Sequence, residues 1–498
     1  MHSRVGVLTG GRLTLEDAYA YAKFARGVLG TNNVDFRSRP HTAEEAEFLA
    51  ASVAATGLSD PQHLPGTGVT YAALEDASSV LLVGLEPEEE AGAIFLRLRK
   101  AWRKRGLASW TLAPFLSRGS AKTGTTLVPT VPGAEAAWLD GWSADSPVGL
   151  DEGSIILVGE RAAGSSGTLS AVTRLAGRTG ARVAWVPRRA GDRGAVEAGC
   201  LPNLLPGGRP LADVTARVDV ASTWGIGSLS GVPGRDGDEM LVSAADDELA
   251  ALVVAGVEVA DLADPQAALE GLERVGFVVS LEARASAVTE RADVVFPVSP
   301  ITERSGTFVT WEGRRRPFPA VLDAPNAMSD LRVLAALADG LDRPLGFRTP
   351  AQALAELDEL GVWDGTRAAA ADVGPGSPAE PVGHRLVLAT WRMALDESRS
   401  LDGEPFLLAT ARTPVARLSP ASATALGLEG EPDAYEVTVA TDRGSLTVPL
   451  VIEPAMADGV VWLPAKAPGL GVAEHLAAVA GDLVTVTLAV QPGQETAA

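Results

Sequence analysis

Ala283-Arg284-Ala285-Ser286-Ala287-Val288-Thr289-Glu290-Arg291-Ala292-Asp293-Val294-Val295-Phe296-Pro297, then Glu303-Arg304-Ser305-Gly306-Thr307 and Trp311-Glu312-Gly313-Arg314, is the stretch on which the reading of the fold turns. Asp293 to Phe296 is a short apolar, β-branched run, and Pro297 closes it because proline cannot donate to a ladder. A strand ending there in an open α/β sheet delivers Glu303, Gly306 and Thr307 to the crevice side, where ligands of doubly wound folds bind. Gly306 lets the backbone approach closely, and Arg314, Arg315 and Arg316 offer forked cationic donors suited to phosphate or carboxylate. The plainer alternative is a solvated turn on which Glu303 and Glu312 pair with Arg304 and Arg314.

Outward from this stretch, short apolar strands alternate with amphipathic helices. Val5 to Leu8 reads as a strand, Gly10-Gly11 as a turn, and Leu15 to Leu29 as a helix with Ala18, Tyr21, Ala22 and Ala25 on its apolar stripe. Further strands are predicted at Val80 to Val83, Trp110 to Leu112, Ile155 to Val158, Val183 to Val186, Leu252 to Val254 and Phe277 to Leu281. This rhythm implies βαβ units and two mainly parallel sheets. The pattern breaks at Gly133 to Gly153, where a boundary is placed, and Gly361 to Gly383 reads as a linker without core-forming period. Beyond it the texture is all-β, with strands at Phe406 to Ala409, Tyr435 to Val439, Ser445 to Leu450, Val460 to Pro464 and Leu483 to Leu488. A barrel removes their edges. The expected architecture is two Rossmann-like parallel-sheet α/β domains (1–145 and 146–350), a helical or linker segment (351–400) and a C-terminal β-barrel (401–490).

Composition narrows the function. A net charge of −21 argues against a nucleic-acid binder. The basic run ending Arg103-Lys104-Arg105 closes a helix that opens at Pro87 with acids and stops at Gly106, so it reads as helix-end chemistry or a subunit contact, with Ile94, Phe95, Leu98 and Trp102 buried. Cys200 is the only cysteine, which excludes an intrachain disulfide, a thiolate-bound zinc site and an ordinary iron-sulfur cluster within the chain. The histidines stand far apart, and no metal site is expected. No apolar run of about 18 residues occurs, so no direct membrane insertion is expected. Gly119 to Thr123 lacks the glycines of a phosphate loop, and Gly225 to Gly231 misses the dinucleotide fingerprint by one residue. The loop Gly159 to Thr168 offers N–H groups to an anion, although on chemical grounds a plain strand-to-helix loop is the favoured reading. No catalytic residue is assigned, since Cys200 has no nearby His and no G-x-S-x-G occurs.

The opening stretch resembles the molybdopterin oxidoreductase superfamily, in which "T-x-x-A-D-V-V-L-P", "E-x-x-G-T" and "x-E-G-R" follow one another at this spacing. The C-terminal piece resembles that family's dinucleotide-binding barrel through Thr410 to Thr413, Leu418-Ser419-Pro420, Leu426-Gly427-Leu428, Gly444 and Gly481-Asp482. Leu15 to Ala20 with Gly30 to Asp35 looks like the opening of its inserted α/β domain, and Leu82 to Glu89 sits where the family carries a strand ending in a ligand-facing loop. Ala91 to Lys104, Gly194 to Arg209 and Val232 to Gly237 are similar to the G-subunit family of bacterial NADH-quinone oxidoreductase (respiratory complex I) of actinobacterial type.

That resemblance implies a scaffold in the peripheral arm, supporting electron transfer from NADH through iron-sulfur clusters to quinone, with other peripheral-arm subunits as partners and a place at the inner face of the cell membrane. It implies a relic of the cofactor site, with molybdopterin guanine dinucleotide lost and the clusters confined to a cysteine-rich amino-terminal region missing here. The chain is then expected to be a fragment, a late start or the second half of a split subunit, short of strands for the sheet running from Ile155 to Phe296. If a relic pterin pocket persists, Thr31, Asn32, Asn33, Glu303, Gly306, Thr307, Glu312, Arg314, Arg412 and Thr413 line it. The rival is the large chain of an active molybdopterin-dependent oxidoreductase of formate or nitrate type. A soluble interaction module unrelated to redox is the third reading.

Overall fold

Each strand of the two α/β sheets runs parallel to its neighbours, which obliges every connection to cross over and return. The structure, a computed structural model, describes residues 4–56, 68–428 and 435–489. Its contacts divide the chain into two units, Met1–Arg39 with Ala43–Thr70 and Pro187–Ala371, and Pro40–Thr42 with Tyr71–Val186 and Asp372–Ala498.

In the first unit the sheet order is Val294–Pro297, Val278–Glu282, Ala251–Ala255, Val5–Thr9 and Val34–Asp35. Helices cover such a sheet on both faces, so its strands read as apolar runs rather than alternations. Leu8, Leu252, Val254 and Val278 pack with Met240, Leu241 and Leu272 in its core. The helix Leu15–Lys23 opens at Thr14, whose hydroxyl accepts from Asp17 N, and continues into a π-helical turn, Phe24–Val28. Every residue of Leu15–Lys23 is buried, so the helix is central and not merely amphipathic.

The second unit holds the other sheet, in the order Thr126–Pro129, Ala108–Ala113, Ser79–Val83, Ile155–Gly159 and Arg182–Val186, together with a closed barrel. The expected boundary at 145/146 therefore does not follow the sheets. Val5–Thr9 pairs with Ala251–Ala255, and Ser79–Val83 pairs with Ile155–Gly159, so the run from Ile155 to Phe296 belongs to two sheets and not one. Local periodicity carries no information on which distant strand is a neighbour, and the Gly133 to Gly153 break is a crossover within one sheet.

The barrel runs Arg385–Trp391, Val460–Pro464, Ala416–Leu418, Ser445–Ile452, Glu436–Ala440 and Leu483–Leu488, the last pairing back to the first. Val437, Val439, Leu446, Val448 and Leu450 alternate into its core. Two of the barrel strands went unforeseen. Arg385–Trp391 lies in the expected linker segment, and Ala416–Leu418 is too short for a periodic signal. Phe406 to Ala409, expected as a strand, is instead part of a helical turn, Pro405–Leu408: the Glu404 carboxylate accepts from Phe406 N and Leu407 N at 3.0 Å, and Pro405 presets the first helical φ. The helix expected from Pro87 is split into Pro87–Glu90 and Gly92–Arg105, and Gly106 ends it at φ +67°. Ile94, Phe95 and Leu98 are buried as expected, but Trp102 is 40% exposed because its ring lies on the surface over Gly124.

Candidate functional site

In a doubly wound sheet the ligand crevice opens beyond the carboxyl ends of the two central strands from which the chain winds in opposite directions. The first unit has this point between Val5–Thr9 and Ala251–Ala255, the second between Ser79–Val83 and Ile155–Gly159. At both, the strands end in glycines, and at both the glycines face protein.

In the first unit a Cβ on Gly10 would lie 1.8 Å from the Gly256 carbonyl oxygen, so the two strand ends touch. Over Gly256 (φ +63°) lies the side chain of Arg12, whose Nε would meet a Cβ there at 2.4 Å. The Arg12 guanidinium donates to both oxygens of Asp330 at 2.8 Å and to Leu281 O at 2.9 Å. Arg304 donates to Asp17 at 2.7 Å and to Asp330 at 2.8 Å, and Tyr21 OH donates to Asp330 at 2.9 Å. Burial opposes ionisation of Asp330, yet Arg12, Arg304 and the Tyr21 hydroxyl together outweigh it and hold this carboxyl below the usual carboxylate range. Asp17 is pushed up by burial, against the pull of Arg304. The crevice is filled by a fork-to-fork ion pair of the chain itself.

The residues expected to line a relic pocket fall in different places. Gly306 packs on Thr14, and Thr307 N donates to Glu16 at 2.9 Å, so this turn seats on the helix start beyond the strand carboxyl ends. Thr31, Asn32 and Asn33 lie at the other end of the strands, before Val34–Asp35 and against the first residue of Val5–Thr9. Thr31 Oγ1 and Asn33 Nδ2 donate to Val5 O, and Asn32 Nδ2 donates to Ser230 O and Val232 O. Arg26, buried, donates to Asn32 Oδ1 and to three carbonyls, of Gly199, Leu201 and Leu204; burial without a carboxylate partner pushes its guanidinium down to about 10. Glu303 ends a 3-10 turn, Ile301–Glu303, and Glu312 pairs with Arg314 at 3.0 Å across the tip of the hairpin Gly306–Val309 and Arg315–Phe318. The Glu312–Arg314 pairing of the surface-turn alternative is present, but Glu312 is buried rather than solvated, and Arg304 turns inward to Asp17 and Asp330 because those buried carboxylates require a cation.

Arg412 and Thr413 belong to the second unit, where they line a cavity of about 370 Å³ with Glu86, Glu88, Glu89, Phe115, Ser117, Arg118, Trp391, Arg417 and Trp462. Behind it, Gly84 (φ +61°) is pressed so closely on the loop after Ile155–Gly159 that a Cβ would lie 2.4 Å from Ala162 N, and a Cβ on Gly159 would lie 2.3 Å from Gly84 O. Glu89 ties the barrel to the sheet, accepting from Arg412 at 2.8 Å and from Ala394 N at 2.9 Å. Glu86 accepts from Ser117 Oγ and Glu89 N, and burial pushes its carboxyl up. The floor is aromatic: Phe115 stacks on Trp391 at 4.9 Å, Trp391 meets Trp462 at 4.9 Å, and Arg417 lies 5.5 Å over Phe115. Burial pushes the Arg417 guanidinium down. The buried Trp462 Nε1 has no hydrogen-bond partner among the described residues.

Sequence reasoning missed Arg12, Asp17, Tyr21 and Asp330. Arg12 directly after Gly10-Gly11, and Asp330 directly after the helix cap Ser329, were the available signals. It also missed the Phe115, Trp391 and Trp462 floor, whose members are far apart in sequence. Among the described residues no group of three or more metal-competent side chains converges.

Residues 2–340 match the family model described as molybdopterin oxidoreductase, and residues 386–496 match that of the molydopterin dinucleotide binding domain. The chain is 52% identical to the NADH-quinone oxidoreductase G subunit of Mycobacterium bovis over 97% of this chain and 59% of that protein. It is 48% identical to the corresponding G subunit of Streptomyces coelicolor over 98% of this chain and 60% of that protein. The chain therefore spans about three fifths of the length of these relatives. Its fold is that of acetylene hydratase from Pelobacter acetylenicus, with TM-score 0.51 at 15% identity, covering 93% of this chain and 79% of that one.

Proposed function

We propose that this chain, which belongs to the molybdopterin oxidoreductase family, is the molybdopterin-oxidoreductase-like scaffold of a G subunit of NADH-quinone oxidoreductase, and performs no chemistry of its own. The observation that carries the reading is the 52% identity to such a G subunit over 97% of the chain. The filled switch points support the non-catalytic part. A pterin dinucleotide brings a pyrophosphate, which asks for uncommitted cations and backbone N–H groups. Glu86, Glu88 and Glu89 face the cavity instead, Arg412 is committed to Glu89, Arg417 pairs with Glu453 at 3.2 Å, and the exposed Arg118 is left as the one lining arginine without a carboxylate partner among the described residues, against three carboxylates. The donor set does not fit such a group.

On this reading the chain braces the path by which iron-sulfur clusters held elsewhere pass electrons from NADH toward quinone. Its partners are other peripheral-arm subunits, and its place is the inner face of the cell membrane. No helix among the described residues is long and apolar enough to cross a membrane. Thr31, Asn32, Asn33, Gly306 and Thr307 then serve the packing that their hydrogen bonds and contacts describe.

The test is the molybdenum and tungsten content per chain, by elemental mass spectrometry on the assembly isolated from native membranes. Metal near zero beside abundant iron is expected. One molybdenum or tungsten per chain would replace this reading with an active oxidoreductase of formate or nitrate type.

A further inference from the structure

We propose that the exposed face of the helix Gly92–Arg105 is a docking surface for an acidic segment of another protein chain. Six of the nine residues from Arg97 to Arg105 are basic, in a chain whose net charge is −21. The structure accounts for three of them. Arg97 and Lys100 both pair with Glu75, at 2.7 and 2.5 Å, and Arg105 pairs with Asp76 at 2.5 Å. Arg99, Arg103 and Lys104 are exposed and have no carboxylate partner among the described residues.

Leu96, Arg99 and Arg103 stand at i, i+3 and i+7, one spine of the helix, with Leu96 61% exposed at its amino end. Cations in the last turn complement the helix dipole, which explains Arg103, Lys104 and Arg105 in part. It explains neither Arg99, further back, nor an exposed leucine on the same line. The opposite face, with Ile94, Phe95, Leu98 and Ala101, is buried in the unit's own core, so the outer face is not needed for folding.

The charge pattern selects the partner. From Leu96 to Lys104 the face is about 12 Å long at the α-helical rise, about one and a half Debye lengths in physiological salt. A compact acidic segment meets only this patch. A nucleic acid or an anionic bilayer extends beyond it and meets the field of a chain with 21 excess negative charges. Insertion into a bilayer as an amphipathic helix also needs a free apolar face, and that face is buried.

The partner is sought within the assembly proposed above, so the inference rests on that reading. Leu96→p-benzoylphenylalanine is introduced into the full chain in its native cell, irradiated, and the assembly isolated from membranes for peptide mass spectrometry; Val382, 70% exposed elsewhere, is the control position. The expected result is a cross-link from position 96 to an Asp- or Glu-rich peptide of another chain. Its yield falls about tenfold in Arg99→Glu/Arg103→Glu/Lys104→Glu and less in the corresponding triple Gln variant, as for charged contacts at an interface. Cross-links to lipid or nucleic acid only, a yield indifferent to charge reversal, or a co-isolated chain without any cross-link from position 96 overturns the docking surface while leaving the scaffold reading intact. A cross-link to an acidic chain outside the assembly overturns the scaffold reading and leaves the docking surface.

Discussion

Arg12→Ala tests the filled crevice most directly. The substitution removes a bidentate partner from Asp330, which is fully buried and ionised, and withdraws the donor to Leu281 O. Breaking a buried pair by deleting one member costs about 3–5 kcal/mol. The Arg12 side chain is 24% exposed, and Asp330 keeps Arg304 and Tyr21, so the lower end, about 3 kcal/mol, is expected. With a urea m-value of about 3 kcal/mol/M, the midpoint falls by about 1 M. The assay is amide hydrogen exchange along a urea series, read by mass spectrometry on peptides covering Val5–Thr9 and Ala251–Ala255, the strands whose ends Arg12 covers. Arg12→Met/Asp330→Asn, which leaves no uncompensated charge at Asp330, recovers about 1–2 kcal/mol relative to additivity. A midpoint for Arg12→Ala within about 0.3 M of the parent would refute the reasoning, since that is the size of an exposed pair.

In Gly84→Ala the new Cβ meets Ala162 N at a φ that side chains resist, so a loss of about 2–4 kcal/mol is expected, seen as a lower thermal midpoint for the second unit or loss of soluble protein. Glu135 accepts from Ser165 Oγ and Gly133 N, and burial raises its carboxyl. A carboxyl raised on folding contributes stability that is present below its unfolded value and lost as pH rises through the folded one. Glu135→Gln is therefore expected to stabilise the protein more at pH 8 than at pH 5, by urea melts at both; an equal effect at the two pH values counts against a raised carboxyl. Burial pushes the Cys200 thiol up to about 12, so labelling by iodoacetamide at pH 8 is expected only after urea unfolding. Native labelling at the unfolded rate would refute that burial.

Much of the fold was legible because periodicity reports which face of an element is apolar. The strands at Val5, Val80, Ile155, Val183, Leu252 and Asp293, the all-β texture after the linker and the stop at Gly106 are local facts of side-chain pattern and backbone preference. Phe406 to Ala409 shows the limit, since its apolar run is strand-like until the cap from Glu404 is counted. The candidate site was legible in part. Arg412 and Thr413 line a cavity, but the partner that occupies Arg412 is Glu89, from a segment more than 300 residues away. Thr31 to Asn33 and Gly306-Thr307 share a unit but lie at opposite ends of the strand Val5–Thr9, a separation that spacing does not encode.

By itself, the order of motifs from Leu15 to Asp482 determined the family and the succession of parallel sheets and barrel, because each motif is a short run whose chemistry is set by its own residues. Only the tertiary structure decided that Val5–Thr9 joins Ala251–Ala255, that Arg304 leaves Glu303 for Asp17 and Asp330, and that Arg12 lies over Gly256. Those outcomes depend on the cost of burying charge and on the closeness of backbones that are distant in sequence. Asp330 is ionised in the core because Arg12, 318 residues away, reaches it together with Arg304 and Tyr21.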